Sequence, residues 1–450
     1  MNTRTILALG LSSLFTATAF AADDDGLTPA PSDQAAPAKA IPDRYIVELR
    51  AGVNPRAVAP AHGVVPEFVY QKAVNGFAGH VPPGRLAALA ADQRVLRVVP
   101  NRTVFAIARP STGGDGGGGQ VVPEGVKRIG AAPGSLAYNG TGVGVAVVDT
   151  GVDYNHADLQ PLGIGSYSAF AGTAQDDNGH GTHVAGTIAA RNNAVGVVGV
   201  APSATIYGVK VLDASGSGSE AGVIAGLDWV AANAALVTPR IRVVNMSLGR
   251  PGTLGDNPTQ RTAIQNLVAG GIAVIVAAGN DATLEVSQQV PATYPEVIAI
   301  ASTTAKAGTN ANRNFSGVIG ADTASYFTSD GAFNATTGIG VSISAPGATQ
   351  ENISKAGFLE SVGILSTKLG GGTTSMSGTS MACPHTAGVA ALVWQKALVL
   401  GQTVTPEQIR SRIRSSASNI GSAPFNSPTS SYTFDGVREG VLSAPGALAP

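Results

Sequence analysis

Residues 143–151 read V-G-V-A-V-V-D-T-G, a run of apolar and small side chains that closes on an aspartate. No polar residue alternates within the run, so a strand built from it must be covered on both faces, as in a buried parallel sheet. Four more runs of this kind follow, at 206–212, 241–246, 272–278 and 297–301, with helical patterns between them. Such alternation predicts an α/β domain on a central, mostly parallel sheet. Ligands of these sheets bind beyond the carboxyl ends of the strands. Asp149 ends the first run, and Asn280 lies just past the fourth, in I-V-A-A-G-N.

Two other motifs open helical stretches: N-G-H-G-T-H-V-A-G-T with His180, and S-G-T-S-M-A-C-P-H with Ser380. Free backbone N–H groups and the helix dipole at such positions favour developing negative charge. The four side chains are what acyl transfer through a serine requires. A hydroxyl attacks, an imidazole within hydrogen-bonding reach takes its proton, a carboxylate holds the imidazole tautomer, and an amide donates to the oxyanion. Each residue alone has a plainer reading: a turn cap for Asp149, a helix cap for Ser380, a left-handed turn for Asn280. His180 and His183 stand three apart, but no H-E-x-x-H pattern or third carboxylate ligand accompanies them, which argues against a metal pair. His156 and His385 read as structural, and Cys383 as a small buried side chain.

The 450-residue chain carries 28 basic and 29 acidic side chains, so its net charge of -1 offers no attraction to nucleic acid or anionic membrane. Charged residues are 13%, against about 25% in ordinary soluble proteins, and glycine is abundant at 58 residues. A compact interior of small residues follows. The single cysteine excludes an intramolecular disulfide, although residues 1–21 read as a cleaved signal peptide. Arg4, an apolar run from Ile6 to Phe20 and the small-residue end Ala19-Phe20-Ala21 carry that reading, and the run falls short of the roughly 20 residues of a membrane span. The expected location is secreted, extracellular or periplasmic. Residues 22–42 look like a flexible leader, and 43–106 hold two strand pairs with two helices, a ferredoxin-like α+β unit. Residues 107–119 end in S-T-G-G-D-G-G-G-G and read as an exposed processing linker before the main domain, 120–450.

From about residue 120 onward the chain resembles the subtilisin-like serine proteases, and residues 43–106 resemble their inhibitory propeptide. The chain order Asp, His, Ser is also the subtilisin order. The resemblance implies a subtilisin-like three-layer α/β fold behind a small ferredoxin-like propeptide. It makes Ser380 the nucleophile, His180 the general base and then acid, Asp149 its orienting carboxylate, and Asn280 an oxyanion donor beside the Ser380 N–H. It places the substrate against Gly216, Ser217 and Gly218 on one rim and Ser247, Leu248 and Gly249 on the other, with Ala277, Ala278 and Gly279 in the pocket. No charge occurs in these stretches, so apolar or broad specificity is expected. The loop R-N-N-A-V-G-V resembles the family's calcium loop, which makes Arg191, Asn193, Val195 and Val197, with Asp158 and Gln120, oxygen ligands of one structural Ca²⁺. Pro291 matches a family cis proline.

By the same resemblance, the end of the propeptide lies in the cleft until the enzyme cuts between Phe105 and Gln120, giving a mature chain that begins close to Gln120. Expected partners are protein or peptide substrates and the chain's own propeptide, with no nucleic acid and no stable membrane insertion, on a monomer. Material near 316–340 and 349–362 exceeds the family pattern and has no expected place. A non-catalytic binding protein on the same fold is the alternative, but it should have lost one of the four groups. An α/β-hydrolase would need G-x-S-x-G, which is absent around Ser380.

Overall fold

Seven parallel strands form the sheet that the apolar runs predict. In spatial order they are Ile343–Ala348, Ile298–Thr304, Ala273–Ala277, Ile241–Met246, Gly144–Asp149, Thr205–Lys210 and Tyr167–Ser168. The computed structural model describes residues 28–29, 38–111, 119–159, 162–418 and 439–450. The signal-peptide reading and the glycine-rich centre of the linker lie outside the described residues.

Successive side chains on a strand point to opposite faces, so each apolar run feeds two cores. Val145, Val147, Ile275 and Ile300 pack with the helices His180–Ala189 and Thr379–Val399. Ala146, Val148, Val274 and Val276 pack with Glu220–Asn233 and Pro258–Ala269. Burying one such aliphatic side chain contributes about 1.5–3 kcal/mol, which is why strands this apolar exist only between two helical layers. From Gly144–Asp149 the chain moves outward on one flank, then crosses to Ile241–Met246 on the other. The carboxyl end of Gly144–Asp149 is therefore the switch point where a ligand crevice opens.

Two strands of the sheet escape a search for apolar runs. Tyr167–Ser168 is only two residues long at one edge, and Ile343–Ala348, I-S-A-P-G-A, is interrupted by small and polar residues. Pro346 is tolerated there because Ile343–Ala348 is the other edge of the sheet, where a missing N–H breaks little of the ladder.

The N-terminal unit runs strand Ala40–Leu49, helix Pro55–Ala61, strands Pro66–Tyr70 and Gly76–His80, helix Leu86–Ala90 and strand Val95–Ala106. These pair antiparallel with the last strand beside the first, then the third, then the second, which is the ferredoxin-like order. Its own core holds Val47, Leu49, Val58, Phe77 and Leu89. The opposite sheet face, with Ile46, Tyr70, Ala78 and Val104, joins the main-domain cluster that contains Ile224 and Leu227. Asp228 fastens the contact by accepting from the backbone N–H groups of Gln71, Lys72 and Ala73 at 3.1, 2.6 and 2.7 Å. Tyr70 donates its hydroxyl to the Ala221 carbonyl at 3.0 Å.

The flexible leader expected at 22–42 is corrected at two points. The first strand already begins at Ala40, and Thr28–Pro29 pairs in parallel with Phe358–Leu359. The partner belongs to the hairpin Gln350–Ile353 and Phe358–Val362, which lies in the material that had no expected place. Ile319, Phe327, Ile353 and Leu359 give that insertion a small core of its own. The Val290–Pro291 bond is cis, as the resemblance implies, and so is Thr238–Pro239.

Candidate active site

Asp149 is the last residue of a strand in mid-sheet, and His180 is the first residue of a helix entered through Gly179 at φ 107. The two side chains meet in the crevice between them. Asp149 Oδ1 lies 2.7 Å from His180 Nδ1, and both residues are buried. Burial pushes the imidazole pKa down, but the charge and the hydrogen bond of Asp149 outweigh it and hold it above the ordinary value. Thr150 N–H also donates to Asp149 Oδ1 at 2.7 Å. His180 Nε2, the nitrogen that a base would use, has no hydrogen-bond partner among the described residues.

Ser380 sits in the first turn of the helix Thr379–Val399, behind Gly378 at φ 151. A Cβ on Gly378 would come within 2.7 Å of the Ile107 carbonyl oxygen and 2.8 Å of Asn280 Nδ2, so only glycine leaves that space open. Asn280 Nδ2 donates to the same Ile107 oxygen at 3.0 Å. Its Oδ1 accepts from the Thr379 N–H and the Thr379 hydroxyl, each at 2.9 Å, which fixes the direction of the amide.

One expected contact is corrected. Ser380 Oγ donates to the Ser247 carbonyl at 3.0 Å and not to His180. A serine hydroxyl turns about one single bond, and the Ser247 carbonyl, just past the mid-sheet strand Ile241–Met246, offers a competing acceptor. Nucleophile–base bonds of this kind tighten in the reacting complex.

Residues 103–107 lie in the crevice as an added strand. On one side Thr103, Val104 and Phe105 stand opposite Ser219, Gly218 and Ser217. On the other, Phe105 and Ala106 stand opposite Gly249 and Leu248. Ala106 N–H donates to the Gly216 carbonyl at 2.9 Å, and Ile107 N–H to the Ser247 carbonyl at 3.2 Å. Gly216, Ser217, Gly218, Ser247, Leu248 and Gly249 thus all flank the segment. Ala277, Ala278 and Gly279 are buried at the end of Ala273–Ala277, and the Gly279 N–H donates to Thr379 Oγ1 at 3.2 Å. They hold the backbone that carries Asn280. Past Ile107 the chain continues across the site, and Arg109–Pro110 pairs with Met376–Ser377. The linker expected at 107–119 therefore begins as ordered chain within the crevice.

Asp176 and Lys210 support this site and were not singled out by sequence. Buried Asp176 accepts from Thr150 Oγ1 at 2.9 Å, the Gly179 N–H at 3.0 Å and Thr182 Oγ1 at 2.6 Å, so it ties the strand end to the helix start. Lys210 Nζ donates to the Thr150 and Leu212 carbonyls, each at 2.7 Å, and to Asp177 at 2.6 Å. A lysine inside an apolar run, and the D-D-N-G-H text before His180, are the signals that could have marked them.

The six residues of the calcium reading also converge. Gln120 Nε2 stands 2.6 Å from the Arg191 carbonyl, 3.4 Å from Asn193 Oδ1, 3.3 Å from the Val195 carbonyl and 3.2 Å from the Val197 carbonyl. Asp158 Oδ2 accepts from the Val197 N–H at 2.9 Å, while Oδ1 has no partner among the described residues. Burial pushes that carboxyl pKa up against the bonds it accepts. A nest of oxygens with one carboxylate suits a hard cation such as Ca²⁺. Turning the Gln120 amide over would add its oxygen to the set.

The remaining histidines have structural partners. His183 Nε2 meets the Ile364 carbonyl at 2.9 Å, His156 Nε2 the Gly372 carbonyl at 3.1 Å, and His385 Nδ1 the Met381 carbonyl at 2.7 Å. Burial brings His183 down to about 3 and His385 down to about 4, so both are neutral. Cys383 is buried, and desolvation pushes its thiol pKa far up.

A sequence profile described as the subtilase family matches residues 140–436. Alkaline elastase YaB of Bacillus sp. (strain YaB) is 40% identical over 303 residues, covering 67% of this chain and 66% of that protein. Subtilisin NAT of Bacillus subtilis subsp. natto is 34% identical over 404 residues, covering 87% of this chain and 90% of its own. Subtilisin Savinase of Lederbergia lenta is 38% identical over 304 residues, covering 67% and 94%.

Proposed function

This chain belongs to the subtilase family and is a serine-type endopeptidase, and on that footing we propose that Asp149, His180, Ser380 and Asn280 are its catalytic groups and that its first substrate is its own Ile107–Ala108 bond. The observation that carries the proposal is the Ile107 carbonyl oxygen, 3.0 Å from Asn280 Nδ2 at the end of a segment paired on both sides. That is the pose of a substrate held for attack.

In the reaction Ser380 Oγ turns from the Ser247 carbonyl and adds to the Ile107 carbonyl carbon while His180 Nε2 takes the hydroxyl proton. The carbonyl oxygen becomes an oxyanion held by Asn280 Nδ2 and, by family precedent, the Ser380 N–H. The bond to Ala108 nitrogen then breaks as Nε2 returns the proton to it. Water, deprotonated by the same nitrogen, hydrolyses the Ile107 ester and restores the Ser380 hydroxyl. Asp149 keeps Nδ1 protonated throughout, so that Nε2 faces the reaction as an acceptor. The mature chain then begins at Ala108, well before Gln120.

Residues 40–107 act as inhibitor until released, and later substrates are apolar or varied at the position of Ile107, because the surrounding stretches carry no charge. The residues 1–21 direct export. Gln120, Asp158, Arg191, Asn193, Val195 and Val197 fit Ca²⁺, which when bound would cross-link the mature N-terminal segment to the loop after the His180 helix. Purified wild-type precursor should yield a product whose first residue is Ala108, whereas Ser380→Ala should stay intact. Trimming of the Ser380→Ala chain in pure solution, or a first residue remote from Ala108, would overturn the assignment.

A further inference from the structure

Upstream of Val104 the segment in the crevice passes a charge cluster that is buried at Glu220 and Arg250 and partly exposed at Asp256. Glu220, the first residue of the helix Glu220–Asn233, is 0% exposed, and Arg250 on the short strand Leu248–Pro251 is 2% exposed. Arg250 Nε donates to Glu220 Oε1 at 2.7 Å, and Arg250 Nη1 donates to Asp256 Oδ2 at 3.2 Å. Two carboxylates therefore share one guanidinium. The next charges do not alter the balance, because Arg261 and Glu296 pair with each other at 2.9 Å. One negative charge is left over.

Arg102 supplies the missing positive charge. It lies on the same strand as Val104 and two residues before it, so both side chains leave the same face. Its Nη1 donates to the Asp256 carbonyl at 3.4 Å. Burial pushes the Glu220 carboxyl pKa up, and the charges of Arg250 and Arg102 pull against that push. Glu220 Oε2 has no hydrogen-bond partner among the described residues. The wall is thus built to one excess negative charge and is neutral only while a cation of the bound segment faces it.

We propose that Glu220 and Asp256, bridged by Arg250, form a subsite that selects a cationic side chain five residues before the residue whose carbonyl is attacked. This rests on the reading of residues 103–107 as a bound substrate. The charge selects at long reach from the reacting bond, so it acts on kcat/KM through binding of the extended chain.

The test uses full-length wild-type protein allowed to process itself, with peptides that copy residues 101–108, N-X-T-V-F-A-I-A, where X is Arg, Gln or Glu. Cleavage after the isoleucine is expected for all three, with kcat/KM falling by about threefold from Arg to Gln and again to Glu at low salt, the size of a partly exposed ion pair. The differences should shrink in 1 M salt, where the screening length is about 3 Å. Asp256→Asn should lower the ratio of the Arg to the Glu peptide, as should Glu220→Gln if it folds. Equal rates for the three peptides, a preference for Glu, or an unchanged ratio in Asp256→Asn overturns the subsite while leaving the cleft reading intact. Failure to cut any of them after the isoleucine overturns the cleft reading, and the subsite falls with it.

Discussion

The N-terminal unit and the main domain close their sheets in different ways. The main-domain sheet is covered on both faces by its own helices, with Val145 and Val147 in one core and Ala146 and Val148 in the other. The N-terminal sheet covers one face with its own two helices, through Val47, Val58 and Leu89, and leaves Ile46, Tyr70 and Ala78 to be covered by the main domain. A unit of about 65 residues has little core to spare, since small domains bury a smaller fraction of their surface. Its order is therefore borrowed from docking. If residues 40–107 act as the proposed inhibitor, the unit should hold its fold while docked and lose it once released.

The largest effect should come from Ser380→Ala, which removes the nucleophile: peptide hydrolysis should fall by several orders of magnitude and the two regions should stay covalently joined. Asn280→Ala should lower kcat by about 10²–10³, the loss known for the oxyanion asparagine of a subtilisin, with KM little changed because the donor acts on the oxyanion and not on the pairing of residues 103–107.

Asp228→Ala attacks the docking itself. Three backbone N–H groups lose their acceptor, so inhibition of the processed enzyme by the cut N-terminal unit should weaken by roughly ten- to a hundredfold. Circular dichroism of the isolated unit should show little fixed structure, whereas a cooperative melt of the unit alone would mean that its fold does not depend on docking.

Calcium should act on the main domain. Saturating the site at a hundredfold excess over Kd adds about 2.7 kcal/mol to stability, so a chelator should lower Tm, and Asp158→Asn should abolish the difference. An unchanged Tm would remove the cation from the account. The smallest effect is in pH. The base must be neutral, and Asp149 holds the His180 pKa above its ordinary 6.5 despite burial. The acid limb of kcat/KM should therefore lie above pH 6.5, with activity lost as pH falls through it. Asp149→Asn should move that limb to lower pH, besides lowering the rate.

Local chemistry was enough to read the sheet and to mark Asp149, His180, Asn280 and Ser380 as candidates, whereas the calcium loop was read only through the family resemblance. An uninterrupted apolar run such as V-G-V-A-V-V can be satisfied only between two layers, and a residue at the end of such a run can lie only at the edge where ligands bind. His180 and Ser380 were legible because a helix start announces itself within a few residues. The strand Ile343–Ala348 was not, since its burial depends on its neighbours and not on its own composition.

Contacts between distant segments needed the folded chain. That Ile107 carries the carbonyl facing Asn280 depends on the register of a strand held between two rims, and a slip of one residue would present another bond. Glu220, Arg250 and Asp256 are separate charges along the chain and become one cluster only where folding brings them within hydrogen-bonding reach. The direction of the Ser380 hydroxyl depends on the Ser247 carbonyl, far away in the chain. Patterns of apolarity and helix entry are properties of neighbours in sequence, while register, charge balance and hydroxyl direction are set by whichever groups packing brings within a few ångströms.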